Sequence, residues 1–257
     1  MDLSAFSRHP GLKDRTVFIT GGGSGIGAAI VECFVDQGAQ VAFVDIAAKP
    51  SRALCKALKE QYGRAPLFIR CDLKDIAALR KAIARTKAEL GDISVLVNNA
   101  ANDQRHKWEE MTPAYWDERM ATNLRPMFFA IQAVAPQMKR QGGGAIVNFG
   151  SISWKLAQGN MPAYTTAKAA VHGLTRTMAR DLGTFGIRVN TVVPGWVMTE
   201  RQLTLWVDKK ANRMLDEVQC LKGRVMPVDL ARMVLYLASE DSRMCSGQEF
   251  TVDAGWA

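Results

Sequence analysis

Residues 17–45 read VFITGGGSGIGAAIVECFVDQGAQVAFVD, and this stretch decides the fold. Val17–Thr20 is a short apolar run, the pattern of a strand covered on both faces. Thr20-Gly21-Gly22-Gly23-Ser24-Gly25-Ile26-Gly27 follows it directly and opens into a helix expected over Gly27–Gln37. The next strand, Val41–Val44, runs into Asp45. Glycines in such a turn reach positive φ and let backbone approach a pyrophosphate, while the helix start offers free N–H groups to the anion. A glycine-rich turn between strand and helix, with an acid about 20 residues on, is the context expected of a dinucleotide site. The bland alternative is a bare strand-to-helix turn.

Asp45 bears on the choice of dinucleotide. A carboxylate there accepts hydrogen bonds from the adenosine-ribose hydroxyls and repels a 2′-phosphate. No Lys or Arg stands at Gly22, Gly23 or Ser24, nor at the two positions after Asp45. The reading therefore favours NAD over NADP.

Working outward, further strands are expected at Leu67–Arg70, Val95–Asn98, Ile146–Phe149, Arg188–Val193 and Glu249–Val252. Helix-length stretches alternate with them, for example Ile76–Leu90 and Tyr115–Arg140. That rhythm predicts an α/β fold, a doubly wound parallel sheet with right-handed crossovers. No repeat or linker interrupts it, so residues 1–257 read as a single domain. The excursion at 195–227 is long for a connection and reads as a substrate lid; a pair of packed surface helices is the alternative.

Composition excludes several function classes. The 257 residues carry a formal charge of +8, which raises the question of nucleic acid. The basic residues are spread over both halves in runs no longer than pairs such as Lys209–Lys210. A nucleic-acid partner would want them on a stripe or arm, so none is expected. No run approaches the roughly 18 apolar residues of a membrane span, and the N-terminus lacks the apolar centre of a signal peptide. Five cysteines without a CxxC pair read as free thiols in a reducing compartment, which suits the cytoplasm. The histidines at 9, 106 and 172 lack zinc spacing, so no metal is expected.

Tyr164 and Lys168 stand four apart in PAYTTAKAAVHGLTRTMARDLG and share one helix face. Ala170, Leu174, Met178 and Leu182 form an apolar stripe on another face, which leaves Tyr164 and Lys168 to a surface edge on pattern alone. A phenol with pKa ~10 is a poor base at neutral pH, and a neighbouring ammonium favours its phenolate. Ser151 ends the strand AIVNFGS, at the carboxyl edge where open α/β sheets bind ligands.

These motifs together resemble the short-chain dehydrogenase/reductase family. Thr20-Gly21-x3-Gly25-Ile26-Gly27, Asn98-Asn99-Ala100, Ser151, Tyr164-x3-Lys168 and Pro194-Gly195 fall in that family's order and spacing over essentially the whole chain. The resemblance implies a Rossmann-type sheet of seven strands in order 3-2-1-4-5-6-7. It implies Tyr164 as general acid/base, with Lys168 lowering its pKa and holding the nicotinamide ribose. Ser151 would orient the substrate oxygen, and Asn123 would anchor a water relay from Lys168. Gly21, Ser24, Gly25, Ile26, Gly27, Asp45, Asp72, Leu73, Asn99, Pro194, Val197 and Thr199 would join Tyr164 and Lys168 around the cofactor. One departure is Asn98-Asn99-Ala100-Ala101, where the family commonly has a final glycine; the extra methyl removes no chemical group. A homotetramer is implied by resemblance alone.

Family membership implies hydride transfer but not the substrate. Asn102, Asp103, Arg105 and His106 make a polar cluster after the fourth strand, and Trp154 follows the catalytic serine. Polar groups with an aromatic face suit a polyhydroxylated ligand. These stretches, with Cys220–Arg224, look like the NAD-dependent aldose 1-dehydrogenases, which implies oxidation of a sugar such as L-arabinose, D-xylose, D-galactose or L-fucose at C1. Ser151 and Tyr164 complete the expected substrate contacts. The alternatives are another secondary alcohol or oxo group (a deoxy-sugar acid or 3-oxoacyl thioester) and, more remotely, a dinucleotide-sensing regulator.

Overall fold

The order of the strands places the site before any side chain is considered. In the computed structural model, which describes residues 3–257, β1 (Thr16–Thr20) lies between β2 (Gln40–Asp45) and β4 (Val95–Asn98). The parallel sheet runs β3-β2-β1-β4-β5-β6-β7, with β3 at Leu67–Arg70, β5 at Gly144–Phe149, β6 at Ile187–Pro194 and β7 at Glu249–Val252. The chain builds outward from β1 to β3, then returns to β4, so the winding reverses between β1 and β4. A crevice opens at that reversal, beyond the carboxyl ends of the strands. This is the seven-stranded order that the family resemblance implies, on the doubly wound parallel sheet expected from the strand–helix rhythm.

Both sheet faces are covered, which explains the continuous apolar strands. Val17 and Ile19 of β1 pack into one cluster with Ile30 and Phe34 of α1 (Gly25–Asp36), Leu58 of α2 (Ala48–Tyr62) and Leu235 of α9 (Pro227–Ala238). Phe18 points the other way, toward Leu79 and Ile83 of α3 (Ile76–Leu90) and Ile131 and Val134 of α5 (Arg125–Arg140). Successive residues of one strand thus feed opposite cores, the consequence of a two-residue pleat.

Three expectations change in detail. The helix expected over Tyr115–Arg140 is two helices, α4 (Pro113–Asn123) and α5, meeting at Leu124 with φ −132° and ψ −56°. Pro126 has no N–H for the carbonyl four residues back, and the Met127 N–H bonds Leu124 O at 3.1 Å instead. The break leaves Asn123 wholly buried at the end of α4.

On α6 (Pro162–Gly183), Leu174, Met178 and Leu182 pack on the core, but Ala170 is exposed. The face carrying Ala163, Ala167, Lys168, Val171 and Thr175 is the more deeply buried one. The reason is that α6 is covered on two sides, by β6 and by α4.

The excursion expected as a lid forms two short helices, α7 (Glu200–Leu205) and α8 (Lys209–Val218), closed off by a parallel bridge between Val197 and Val225. Leu215 anchors α8, whereas α7 buries no residue. Among the described residues, no helix is long and apolar enough to cross a membrane.

Candidate active site

A cavity of about 1180 Å³ opens along the carboxyl ends of β1, β2, β4, β5 and β6. Its outer end is shaped by glycines. Gly21 sits at φ +68° and Gly25 at φ +54°, a backbone region that disfavours other residues. A Cβ at Gly27 would lie 1.8 Å from the Gly21 carbonyl oxygen, so only glycine lets α1 approach the turn. Ser24 precedes α1 without a side-chain cap, leaving the first N–H groups of a twelve-residue helix facing the cavity. That cradle, bare of side chains and rich in donors, fits a pyrophosphate.

The neighbouring residues hold the cradle in place. Asn99 Nδ2 donates to Thr20 O at 3.1 Å and Gly21 O at 3.0 Å, and Thr20 Oγ1 accepts from the Asn99 and Ala100 N–H groups. Asp45 accepts from Gly23 N at 2.9 Å and Ala47 N at 2.8 Å, one bond to each oxygen. Each oxygen keeps a lone pair for a further donor. The neighbouring Ile46 is 64% exposed, so no cation shields the carboxylate from its own strand end. All residues expected around the cofactor line this one cavity, from Gly21 to Thr199 and including Asp72, Leu73 and Pro194.

Ser151, Tyr164 and Lys168 line the inner end. Ser151 follows β5 and accepts the Ser153 N–H at 3.1 Å, which fixes the turn. The Ser151 hydroxyl beside Tyr164 favours the phenolate, as does Arg105. Burial and the nearby Asp103 carboxylate oppose them and push Tyr164 up to about 12. Lys168 is 1% exposed, and burial pushes it down to about 7 against the pull of Asp103. Its Nζ donates to Phe149 O at 2.7 Å and stands 5.7 Å from the centre of the Tyr164 ring. Lys168 Nζ thus bonds a backbone carbonyl at the end of β5, on the same side of α6 as Tyr164.

Asn123 lies behind the wall rather than on it. Its Oδ1 accepts the Asn102 N–H at 2.7 Å, while its Nδ2 is buried without a protein partner. An orphaned buried amide of this kind suits an internal water.

The expected substrate contacts divide. Asn102, Asp103 and Arg105 line the cavity beside Ser151 and Tyr164, but His106 and Trp154 do not. His106 Nε2 accepts the Ala163 N–H at 3.2 Å and Nδ1 meets Gln104 O at 2.9 Å, so both ring nitrogens are used to start α6. Trp154 turns its Nε1 onto His172 Nε2 at 3.1 Å, away from the cavity, and His172 Nδ1 faces the Glu249 carboxylate. The aromatic wall is supplied instead by Trp196 and Trp256.

The comparisons with known proteins agree with this geometry. A sequence family described as enoyl-(acyl carrier protein) reductase matches residues 21–257. The chain is 50% identical over 249 residues to a probable galactose dehydrogenase of Rhizobium meliloti, covering 97% of each. It is also 50% identical over 248 residues to the D-xylose 1-dehydrogenase of Caulobacter vibrioides, covering 96% of this chain and 98% of that one. The chain is a short-chain dehydrogenase/reductase. Among solved structures, a 7α-hydroxysteroid dehydrogenase complexed with NADH and a 7-oxo bile acid superposes with TM-score 0.91 at 30% identity, covering 96% and 97% of the two chains. A blue fluorescent protein in complex with NADPH gives 0.87 at 35% identity, covering 96% and 99%.

Within this short-chain dehydrogenase/reductase, sequence reasoning missed Gln158, Trp196 and Gln202. Gln158, its amide oriented to suit its neighbours, accepts from Arg105 at 2.8 and 3.2 Å. Gln202 bonds both Trp196 and Asp103. Neither glutamine sits in a motif; only the fold brings each to the cavity wall.

Proposed function

We propose that this protein oxidises an aldose at C1 to the aldonolactone, with NAD as the preferred cofactor. The observation that carries the reading is a wall of Asn102, Asp103 and Arg105 beside Ser151 and Tyr164, a wall that suits hydroxyl groups. The 50% identity to a galactose and a xylose dehydrogenase supports it. A 3-oxoacyl chain fits less well, because it would desolvate Asp103 and Arg105 without satisfying them.

In this reading Asp45 takes the adenosine-ribose hydroxyls, the Gly21–Gly27 turn and α1 take the pyrophosphate, and Asp72 and Leu73 meet the adenine. Asn99, Pro194, Val197 and Thr199 line the nicotinamide end with Tyr164 and Lys168. When bound, the dinucleotide supplies the acceptor for the hydride that leaves C1. The Tyr164 phenolate takes the C1 hydroxyl proton, so the alcohol loses hydride and proton together and becomes the lactone carbonyl. Ser151 donates to the reacting oxygen and fixes its position. Lys168 holds the ribose, and Asn123 holds the water that leads the Tyr164 proton outward.

The 195–227 segment acts as a lid, and exposed Trp116 and Phe128 on α4 and α5 support assembly, as a homotetramer. The test is NADH formation with D-xylose, L-arabinose, D-galactose and L-fucose. Turnover of at least one is expected; no turnover of any aldose overturns the reading.

A further inference from the structure

Helix α7 forms part of the cavity wall, yet none of its six residues is buried. Leu203 and Leu205 are half exposed, so no apolar anchor fastens it. A helix this short is not stable through its own hydrogen bonds. Side-chain tethers therefore set its place, and the central one is Gln202. Its Oε1 accepts from Trp196 Nε1 at 2.9 Å, and its Nε2 donates to Asp103 Oδ2 at 2.7 Å. An indole N–H can only donate and a carboxylate can only accept, so the two partners fix which way the amide points. Arg201 Nε adds a longer contact to Asp103 Oδ1 at 3.3 Å, and the Arg105 guanidinium lies 5.3 Å from the centre of the Trp206 ring.

The partners of Gln202 come from the ends of two strands that β5 separates. Trp196 follows Pro194-Gly195 at the end of β6, and Asp103 belongs to the loop after β4. Both line the cavity, as Gln202 does. Without Gln202 the indole loses its acceptor, and among the described residues the carboxylate keeps the contact to the half-exposed Arg201.

We infer that Gln202 is a positioning residue for substrate recognition: it holds the Asp103 carboxylate and the Trp196 indole in one fixed arrangement across the substrate end of the cavity. The carboxylate retains lone pairs beyond those facing Gln202 and Arg201, and these accept from neighbouring hydroxyls of the sugar. The indole offers its face to the sugar C–H groups. The sugar part of this inference rests on the aldose reading; the tether does not.

The experiment compares Gln202→Leu, Gln202→Glu, Asp103→Asn and the double variant Asp103→Asn/Gln202→Glu in the full chain. Gln202→Glu sets two carboxylates against each other, and the aldose KM is expected to rise about tenfold or more; in Gln202→Leu, which adds no charge near Tyr164, the aldose KM rises with kcat and the NAD KM within about twofold. The double variant exchanges the two roles: the amide introduced on the β4 loop donates to the carboxylate introduced on α7, while Trp196 donates to the other oxygen of that carboxylate. Its KM is expected at least about fivefold below the product of the two single effects. A KM equal to that product, or a Gln202→Leu enzyme with unchanged aldose KM, overturns the inference.

A second arm needs no sugar. Trypsin cleavage at Arg201, Lys209 and Lys210 is expected to quicken about tenfold in Gln202→Leu and to return toward wild type in the double variant. Unchanged cleavage overturns the tether. If wild type oxidises no aldose, the aldose reading falls, and the protease arm still decides the tether. If wild type is active and only the Gln202 effects are missing, the inference falls alone.

Discussion

Tyr164 holds its proton more tightly than a free phenol, and the causes are nearby. Burial and the Asp103 carboxylate push it up to about 12, while the Ser151 hydroxyl and Arg105 pull the other way. A raised pKa means the phenolate fraction grows with pH. Oxidation, which needs the phenolate, should therefore accelerate with rising pH, and the reverse reduction, which needs the phenol, should slow. Asp103→Asn removes a charge that holds the proton on, so the rising limb of kcat for oxidation against pH should move to lower pH; a limb that stays or moves up contradicts this. Tyr164→Phe should lower kcat by about a hundredfold to ten-thousandfold, the range of general acid–base catalysis.

At the other end of the cavity, Asp45 is tied by one backbone bond to each oxygen and keeps acceptor capacity for the ribose. Asp45→Ala with Ile46→Arg removes the acceptor and supplies a cation. The ratio of kcat/KM for NAD over NADP should fall by about tenfold to a hundredfold, the worth of charged hydrogen bonds. An unchanged ratio contradicts the assignment.

The α1 approach depends on Gly27, where a Cβ would meet backbone at 1.8 Å, while at Gly173 in α6 nothing lies within 4 Å. Gly27→Ala should destabilise by about 1–3 kcal/mol through overpacking and weaken NADH binding. Gly173→Ala should stabilise by about 0.5–1 kcal/mol, because a helix-interior glycine is entropically unfavourable. Thermal unfolding of the two variants checks both signs.

The strands and the glycine turn were legible in the sequence because their signals are local: apolar runs, and glycines at fixed spacing. The break at Leu124 was half-legible, since Pro126 was in view but the apolar pattern runs on across it. His106 and Trp154 were misplaced because a polar or aromatic residue near a site says nothing about which way it turns. His106 is consumed in capping α6 and Trp154 in meeting His172. Trp196 and Gln202 reach the wall only through the fold, from the β6 end and α7.

At the scale of the whole molecule, the strand order and the cavity express one fact. The winding reverses between β1 and β4, and the cavity runs along that edge from Asp45 to Tyr164. The net charge of +8 plays no comparable part: the basic residues are spread along the chain, and several of them, such as Arg8, Arg85 and Arg224, face carboxylates of its own surface. In the proposed reaction a single event takes place at the inner end of that cavity, hydride leaving C1 of a sugar while Tyr164 takes the hydroxyl proton. The most direct measurement uses D-xylose and D-galactose labelled with deuterium only at C1, with mass spectrometry of the NADH formed. NADH carrying the deuterium, together with slower turnover than the unlabelled sugar, is the expected result. NADH formed without deuterium would place the oxidation at another carbon and contradict the account.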